Sequence, residues 1–291
     1  MKKQWFAGMA LSALVVLAAC GNDSATNGGS SAAASSDGTQ TITIGSMGSD
    51  AQIWEHIADS QAAKDAKLDI KVKEIDGGVE LNNATKEGEV DVNAFQSWAY
   101  LVSYNKDSGA KLAAIATTYL EPMGIYSSKI KDIKDVPDGA LVALADNPAN
   151  TARGLLLLQA AGLVKLKDGF DVGTGGTDDV AENPHNLKFE LIDDTTGPRV
   201  IQDVDLVLIG NTIALEGGLN VLKDSLFHEE VSVDTKANIN VLATADDKKN
   251  DAGLLKLGEL YHSEDTQQYI EKEFGGTKVD VNKPISYLEE K

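Results

Sequence analysis

Apolar runs with the two-residue period of a strand alternate along this chain with runs that have the 3.6-residue period of a helix. The predicted strands are 41–44, 68–72, 90–96, 112–116, 141–145, 188–192, 206–209 and 239–243. The predicted helices include one with Ile53, Trp54 and Ile57 on its apolar face, 79–86, one through Trp98 and Leu101, 148–161, one after Asn211, and two near the C-terminus. Because strands and helices alternate, we expect mostly parallel sheets covered by helices.

This alternation occurs twice, so we predict two α/β lobes. The first lobe is expected to contain residues 41–122 and 236–291, and the second residues 123–235. The chain would cross between lobes near 122–126 and 228–237, and the last two helices would pack on the first lobe. Residues 164–186, rich in Gly, Asp and Lys, are predicted to be irregular.

The segment from Leu141 to Gly162 predicts a strand, a tight turn and a helix. Asn147 can cap the helix, Pro148 suits its first position, and Gly162 suits its end. Four consecutive leucines make the helix apolar on nearly every face, so it must be buried. Arg153 nevertheless lies in its first two turns, where the helix dipole disfavours a cation. We therefore expect an anion close to Arg153.

Arg153 and Asn150 lie three residues apart, hence on one face of that helix. A guanidinium can pair with a carboxylate through two hydrogen bonds, and an asparagine amide can both donate and accept. Our hypothesis is that Arg153 holds a ligand carboxylate, with Asn150 beside it. The alternative is that Arg153 pairs with an acidic side chain such as Asp146 or Asp194.

Two further places at strand ends could contribute to the same site. Asn211 follows a buried strand, where ligand contact and helix capping are both open. Phe95, Trp98 and Tyr100 follow another strand, and an aromatic group there can stack on an apolar or sulfur-containing side chain. The alternative for these aromatic residues is a place in the core.

The N-terminal residues predict a secretory signal, 1–19, with a basic start and an apolar stretch too short to span a bilayer. The signal ends in Leu17-Ala18-Ala19-Cys20, which resembles the lipobox of bacterial lipoproteins. We predict that Cys20 is lipidated; the alternative is a free thiol beside an ordinary cleavage site. The stretch 20–40, rich in Gly, Ser, Ala and Asn, is predicted to be a flexible tether.

The charge and composition exclude several classes of function. The net charge is −19, and removal of 1–19 deletes two lysines and leaves −21, so we expect no nucleic-acid partner. Cys20 is the single cysteine, which excludes a disulfide or a cysteine-based metal site. The four histidines are scattered, and no phosphate-binding loop or nucleophile elbow is present. We expect no metal, no cofactor and no enzymatic activity.

Several motifs together resemble the methionine-binding NlpA/MetQ lipoproteins, and they cover nearly all of the folded chain in order. They are the lipobox, Gly45-Ser46, Asn93-Ala94-Phe95-Gln96, the run 118–127, Asn150-x-x-Arg153, 155–159 with 162–169, Glu182-Asn183-Pro184 and Asn211-Thr212. The resemblance implies a two-lobed, periplasmic-binding-protein-like fold of type II, with a ligand cleft between the lobes. It also implies a monomeric receptor, lipid-anchored through Cys20 on the extracytoplasmic face of the cell membrane.

The resemblance implies a role for particular residues in binding methionine or a related amino acid. Arg153 would bind the ligand carboxylate with Asn150 as its companion, and Asn211 would meet the polar end of the ligand. Phe95 would pack against the ligand side chain. Our own hypothesis adds Ser97 and Trp98 to this side-chain pocket. The receptor would deliver the ligand to an ABC permease and its ATPase.

The sequence departs from the family pattern in the predicted side-chain pocket. Ser97 stands where the family usually has histidine, no tyrosine follows the second strand at 75–79, and Ile213 stands where a tyrosine is common. The alternatives are therefore another amino acid or a short peptide as ligand. Rivals from other classes are an enzyme on the same scaffold and a surface adhesin without a transport role.

Overall fold

The computed structural model describes residues 38–230 and 233–290. The predicted signal peptide, Cys20 and most of the predicted tether lie outside the described residues. Gln40, which we assigned to the tether, begins the first strand, and its Nε2 donates to Asp251 Oδ1 at 3.0 Å. Within the described ranges, no helix has the length and apolar character needed to cross a membrane.

The chain first builds a β-sheet with helices on both sides. Its elements are β1 Gln40–Ser46, α1 Gly48–Asp59, α2 Gln61–Asp65, β2 Leu68–Glu74, α3 Gly78–Glu87, β3 Val92–Ser97, α4 Trp98–Ser108, β4 Leu112–Thr117 and the short β5 Tyr119–Leu120. Ser97 caps α4 by accepting from the Tyr100 amide, and Gly88 ends α3 in the left-handed conformation that glycine tolerates.

The middle of the chain builds a second sheet. Its elements are β6 Met123–Tyr126, β7 Leu141–Ala145, α5 Pro148–Ala160, β8 Lys165–Leu166, β9 Val180–Glu182, β10 Lys188–Ile192, α6 Gly197–Val200, β11 Leu206–Gly210, α7 Asn211–Glu216, α8 Val221–Asp224 and β12 Phe227–His228. The order in this sheet is β10-β7-β11-β6-β12, with β6 antiparallel to its neighbours. Outside the small β8–β9 pair, 164–186 is irregular, as predicted.

The chain then returns to the first sheet. The last elements are β13 Asn240–Ala245, α9 Ala252–Tyr261, α10 Glu264–Phe274, β14 Val279–Asp280 and α11 Ser286–Glu289. Strand β13 lies between β3 and β4, antiparallel to both, so the order is β2-β1-β3-β13-β4. Strand β14 pairs with β5, where the chain first leaves this sheet.

Each of the eight predicted strands is present, with ends shifted by at most two residues. Six further short strands are present, β5, β6, β8, β9, β12 and β14. The sequence predicts a crossing near 122–126, whereas Met123–Tyr126 is a buried strand of the second sheet. The run is short and lacks the alternation that marks a half-buried strand.

Each sheet is covered on both faces by apolar side chains, since successive strand residues point to opposite sides. In β7, Val142 and Leu144 pack with Leu155 and Leu158 of α5, whereas Ala143 contributes to the opposite face. The predicted buried helix is thus confirmed. The lobe boundaries, 41–122 with 236–291 and 123–235, remain a prediction.

Candidate functional site

A cleft opens between the two sheets, where strands from both of them end. Among the residues predicted to bind ligand, Phe95, Ser97, Asn150 and Arg153 line it, and Asn211 and Trp98 do not. The carboxyl ends of β7 and β11 face such a crevice, as expected for open α/β sheets.

Helix α5 begins at this cleft as the sequence predicted. Asn147 is its N-cap, with Oδ1 accepting from the Asn150 amide at 2.9 Å, and Pro148 is its first residue. Thr151 donates its hydroxyl to Ala145 O at 2.6 Å, which ties the first turn to the end of β7. The first turn of α5 is therefore fixed by local hydrogen bonds, and this fixes the backbone position of Arg153 in the next turn.

The anion expected beside Arg153 is a side chain of the protein, Glu229. Arg153 Nε donates to Glu229 Oε1 at 2.9 Å and Nη2 to Oε2 at 2.6 Å, and both side chains are largely buried. Nη2 also donates to the backbone oxygen of Glu121 at 2.7 Å. The partners proposed as alternatives from sequence, Asp146 and Asp194, are not bonded to it.

This pairing changes how Arg153 could meet a ligand. The edge formed by Nε and Nη2 is occupied, whereas Nη1 has no acceptor among the residues that the structure describes. Burial would lower the pKa of Arg153, but the Glu229 carboxylate outweighs burial and raises it, so the guanidinium stays charged. Nη1 is therefore the nitrogen of Arg153 that remains available to a further acceptor, beside a preformed ion pair.

Asn211 is fully buried at the first position of α7, immediately behind the cleft wall formed by Gly210 and Thr212. Its Nδ2 donates to Glu121 Oε2 at 2.9 Å and to Thr277 Oγ1 at 3.2 Å. Because a carboxylate only accepts, this contact fixes the orientation of the amide. Asn211 does not cap α7, which begins after Gly210 without a side-chain cap.

The Oδ1 atom of Asn211 is left without a hydrogen-bond partner. Buried polar atoms are nearly always paired, and an unpaired one is destabilising by about 1–3 kcal/mol. A single acceptor in a fixed orientation suits a donor such as an ammonium or amide N–H group. Asn211 Oδ1 is therefore an unpaired acceptor next to the cleft residues Gly210 and Thr212.

Sequence reasoning missed three charged residues here: Glu121, which lines the cleft, and Asp50 and Lys278, which are buried and do not line it. Lys278 Nζ donates to Asp50 Oδ1 at 3.1 Å and to Glu121 Oε2 at 3.0 Å, and the lysine side chain is 0% exposed. Its ammonium also lies 4.0 Å from the ring centroid of Tyr119, a favourable cation–π position. Nothing local around Lys278 in the sequence indicates this role.

Charge is distributed unevenly in this cluster. Burial raises the pKa of Glu121, but Lys278 and the Asn211 amide outweigh it, so the net shift is downward. Burial raises the pKa of Asp50 above its ordinary value despite the opposing Lys278. Glu121 is thus the carboxylate held ionised. It links Lys278, Asn211 and, through its backbone oxygen, Arg153.

The aromatic residues after β3 separate into two groups. Phe95 and Tyr100 line the cleft and contact each other edge to face, with ring centroids 5.8 Å apart. Trp98 packs on a hydrophobic cluster of the first lobe that includes Leu101. The structure therefore places Trp98 away from the predicted pocket. Tyr100, which was considered from sequence but not assigned to the site, lies within it.

Gly78, the first residue of α3, makes room for this aromatic pair. A Cβ atom there would lie 2.5 Å from Tyr100 Oη and 2.9 Å from Phe95 Cε2. We expect Gly78→Ala to displace both rings and to weaken ligand binding by about 1–3 kcal/mol, roughly 5- to 150-fold. Isothermal titration calorimetry would measure the change.

A matched control for this substitution is Gly176→Ala, because a Cβ at Gly176 meets nothing within 4 Å and Gly176 does not line the cleft. Its affinity should equal that of the wild type. Equal affinity of Gly78→Ala and the wild type would show that the ring positions do not matter for binding.

Asn150 is bonded to a carboxylate on the wall of the cleft. Its Nδ2 donates to Asp194 Oδ2 at 2.9 Å, and Asn147 Nδ2 donates to the same oxygen at 2.9 Å. Asn150 thus supports Asp194 as well as lining the cleft beside Arg153. In the part of the chain that the structure describes, no cluster of His, Cys, Asp or Glu could hold a metal ion.

The sequence matches the family model described as NlpA lipoprotein over residues 42–282. The chain belongs to the NlpA lipoprotein family. It is 36% identical over 236 residues to the D-methionine-binding lipoprotein MetQ of Escherichia coli (strain K12), a match that covers 80% of this chain and 85% of that protein. The resemblance to this family inferred from sequence motifs is confirmed.

Solved structures of similar proteins share the fold. Protein PG110 from Staphylococcus aureus aligns with a TM-score of 0.81 at 36% identity, over 85% of this chain and 97% of that chain. A nutrient-binding protein from Burkholderia cenocepacia, bound to methionine, aligns with a TM-score of 0.78 at 35% identity, over 82% and 99%. The predicted two-lobed fold of this NlpA-family member is thus confirmed.

Proposed function

We propose that this protein is a solute-binding lipoprotein that captures methionine, in its L or D form, or a related amino acid and delivers it to an ABC importer. The names of its relatives support this, including a D-methionine-binding lipoprotein and a nutrient-binding protein bound to methionine. A lipid on Cys20 would anchor the protein to the extracytoplasmic face of the membrane. The protein would act as a monomer. The ABC permease and its ATPase would be its partners.

The observation that carries this proposal is the fully buried, unpartnered Oδ1 of Asn211 behind a cleft that also contains Arg153. An amino acid offers one carboxylate and one ammonium group. Arg153 Nη1 would donate to the carboxylate. Asn211 Oδ1 is covered by the cleft wall in this structure, so it would accept from the ammonium only after that wall shifts. Phe95, Ser97 and Tyr100 would surround the side chain.

Ligand binding would act on the two lobes by shifting an equilibrium between open and closed forms. The extra contacts made in the closed form favour that form. Arg153 belongs to the second sheet's side of the cleft and Phe95 to the first, so a ligand that contacts both would hold them together. The closed form would then dock on the permease. No chemical step is involved, and the ligand should be recovered unchanged.

The proposal is tested by thermal unfolding with L- and D-methionine and the other amino acids. A ligand at 100 times its dissociation constant should stabilise the protein by about 2.7 kcal/mol. The analogue of methionine that lacks the amino group and the amide of methionine, which lacks the carboxylate, should each stabilise it far less. If no amino acid raises the unfolding temperature, the proposal is wrong.

The role of Asn211 has a separate test. We expect Asn211→Leu to weaken methionine binding by about 1.5–3 kcal/mol, roughly 10- to 150-fold, because the ammonium group loses its acceptor. The analogue without the amino group should bind the variant as it binds the wild type. An equal loss for both ligands would point to a general distortion instead of a lost contact.

A further inference from the structure

Asp194 is the one charged group lining the cleft that is left without a partner of opposite charge, within the described ranges. Arg153 is paired with Glu229, and Glu121 is paired with Lys278. A zwitterionic amino acid bound to Arg153 and Asn211 would add no net charge. The negative charge of Asp194 would therefore remain unmatched inside the cleft.

The Asp194 carboxylate is held firmly on the cleft wall. It lies just after β10, and its Oδ2 accepts from the side-chain amides of Asn147 and Asn150 at 2.9 Å each. Asn147 is itself fixed as the cap of α5. Oδ1 of Asp194 accepts no hydrogen bond from the described residues, so one carboxylate oxygen remains free to accept one.

The surroundings of Asp194 favour a cation. Burial raises the pKa of Asp194, and the neighbouring carboxylates of Asp193 and Asp146 add to the shift. A cation would relieve both effects. Across the cleft, Tyr100 and Phe95 present aromatic rings, whose faces attract cations.

We propose that the ligand carries a cationic nitrogen in addition to its carboxylate and the N–H group read by Asn211, and that Asp194 binds this nitrogen. The inference rests on the proposed function, since it assumes the carboxylate on Arg153. Two kinds of ligand have this chemistry. One is a diamino acid such as ornithine or lysine; the other is a dipeptide, whose amide N–H would meet Asn211 and whose terminal ammonium would meet Asp194.

The test compares wild type and Asp194→Asn by calorimetry with L-methionine, L-ornithine, L-lysine and alanyl-methionine. A hydrogen bond to a charged group corresponds to roughly 10- to 150-fold in affinity. L-ornithine, L-lysine and alanyl-methionine each carry a cationic nitrogen besides the N–H group that Asn211 would read. At least one of these three should therefore bind the wild type about tenfold more tightly than methionine does. Asp194→Asn should lose that preference, so that the ratio of the methionine dissociation constant to that of the preferred ligand falls from about ten to about one. Which ligand shows the preference identifies the source of the nitrogen.

Asp193→Asn is the matched control. Asp193 is the exposed neighbour of Asp194, does not line the cleft, and bonds through Oδ1 only to Thr195. It removes the same charge and should leave the preference intact. The unfolding temperature of each variant without ligand would show that both fold.

The outcomes separate this inference from the proposed function. If methionine binds but none of the other three binds more tightly, or if Asp193→Asn removes the preference as fully as Asp194→Asn, the role of Asp194 is wrong and the proposed function stands. If none of the four ligands binds wild type, both the proposed function and this inference are overturned.

Discussion

Replacement of Lys278 by methionine is expected to lower the free energy of unfolding by about 3–5 kcal/mol, because removal of one partner from a buried ionic cluster leaves uncompensated charge. Lys278 is fully buried and, in the described structure, is the only cation paired with the side-chain carboxylates of Asp50 and Glu121. Methionine has a similar length, so the substitution changes charge more than volume. For a chain of this size the unfolding temperature should fall by on the order of 10 °C.

Lys272→Met is the control for this experiment. Lys272 pairs with Glu273, but its side chain is 80% exposed, and surface substitutions of this kind usually stay within about 0.5 kcal/mol. Adding Glu121→Gln to Lys278→Met should recover part of the loss, since it removes one of the stranded carboxylates. A Lys278→Met protein as stable as Lys272→Met would mean that the cluster does not stabilise the fold.

Arg153→Ala is expected to weaken ligand binding by about 2–5 kcal/mol, or about 30- to 4000-fold in dissociation constant. The substitution removes the donor proposed for the ligand carboxylate. It also leaves Glu229 without its cation, so stability should fall together with affinity. Calorimetry with methionine and thermal unfolding without ligand measure the two effects separately.

Glu229→Gln separates a direct role of Arg153 from a structural one. The glutamine keeps the size of the side chain but no longer neutralises the guanidinium, so a ligand carboxylate should bind at least as tightly as in the wild type. Stability should still fall, because the ion pair is lost. If Glu229→Gln and Arg153→Ala weaken binding to the same extent, Arg153 acts only as a structural partner of Glu229.

The local features of this site could be predicted from sequence. The strand at 141–145, the Asn147 cap and Pro148 at the start of α5 follow from residue preferences that act over a few positions. The position of Arg153 in a buried helix also predicted a neighbouring anion, and one is present. What the pattern could not supply was its identity, since Glu229 lies 76 residues further along the chain.

The ionic contacts of Lys278 join residues that are even further apart in the sequence. Lys278 and Asp50 are 228 residues apart and meet because β14 pairs with β5 where the chain leaves the first sheet. Glu121 lies in that exit segment, between β5 and β6. The sequence also did not show which of the aromatic residues after β3 would line the cleft. Phe95 lines it and Trp98 does not, because the chain changes from strand to helix between these two residues.

Glu121 has one further consequence for the proposed site. Its carboxylate holds Asn211 and its backbone oxygen holds Arg153, so a single residue sets the spacing between the acceptor and the donor. In the proposed site, this fixed spacing would select ligands by the distance between their nitrogen and their carboxylate. A substitution that shifts Glu121 would therefore move the donor and the acceptor together, and should change which nitrogen–carboxylate spacing the cleft accepts.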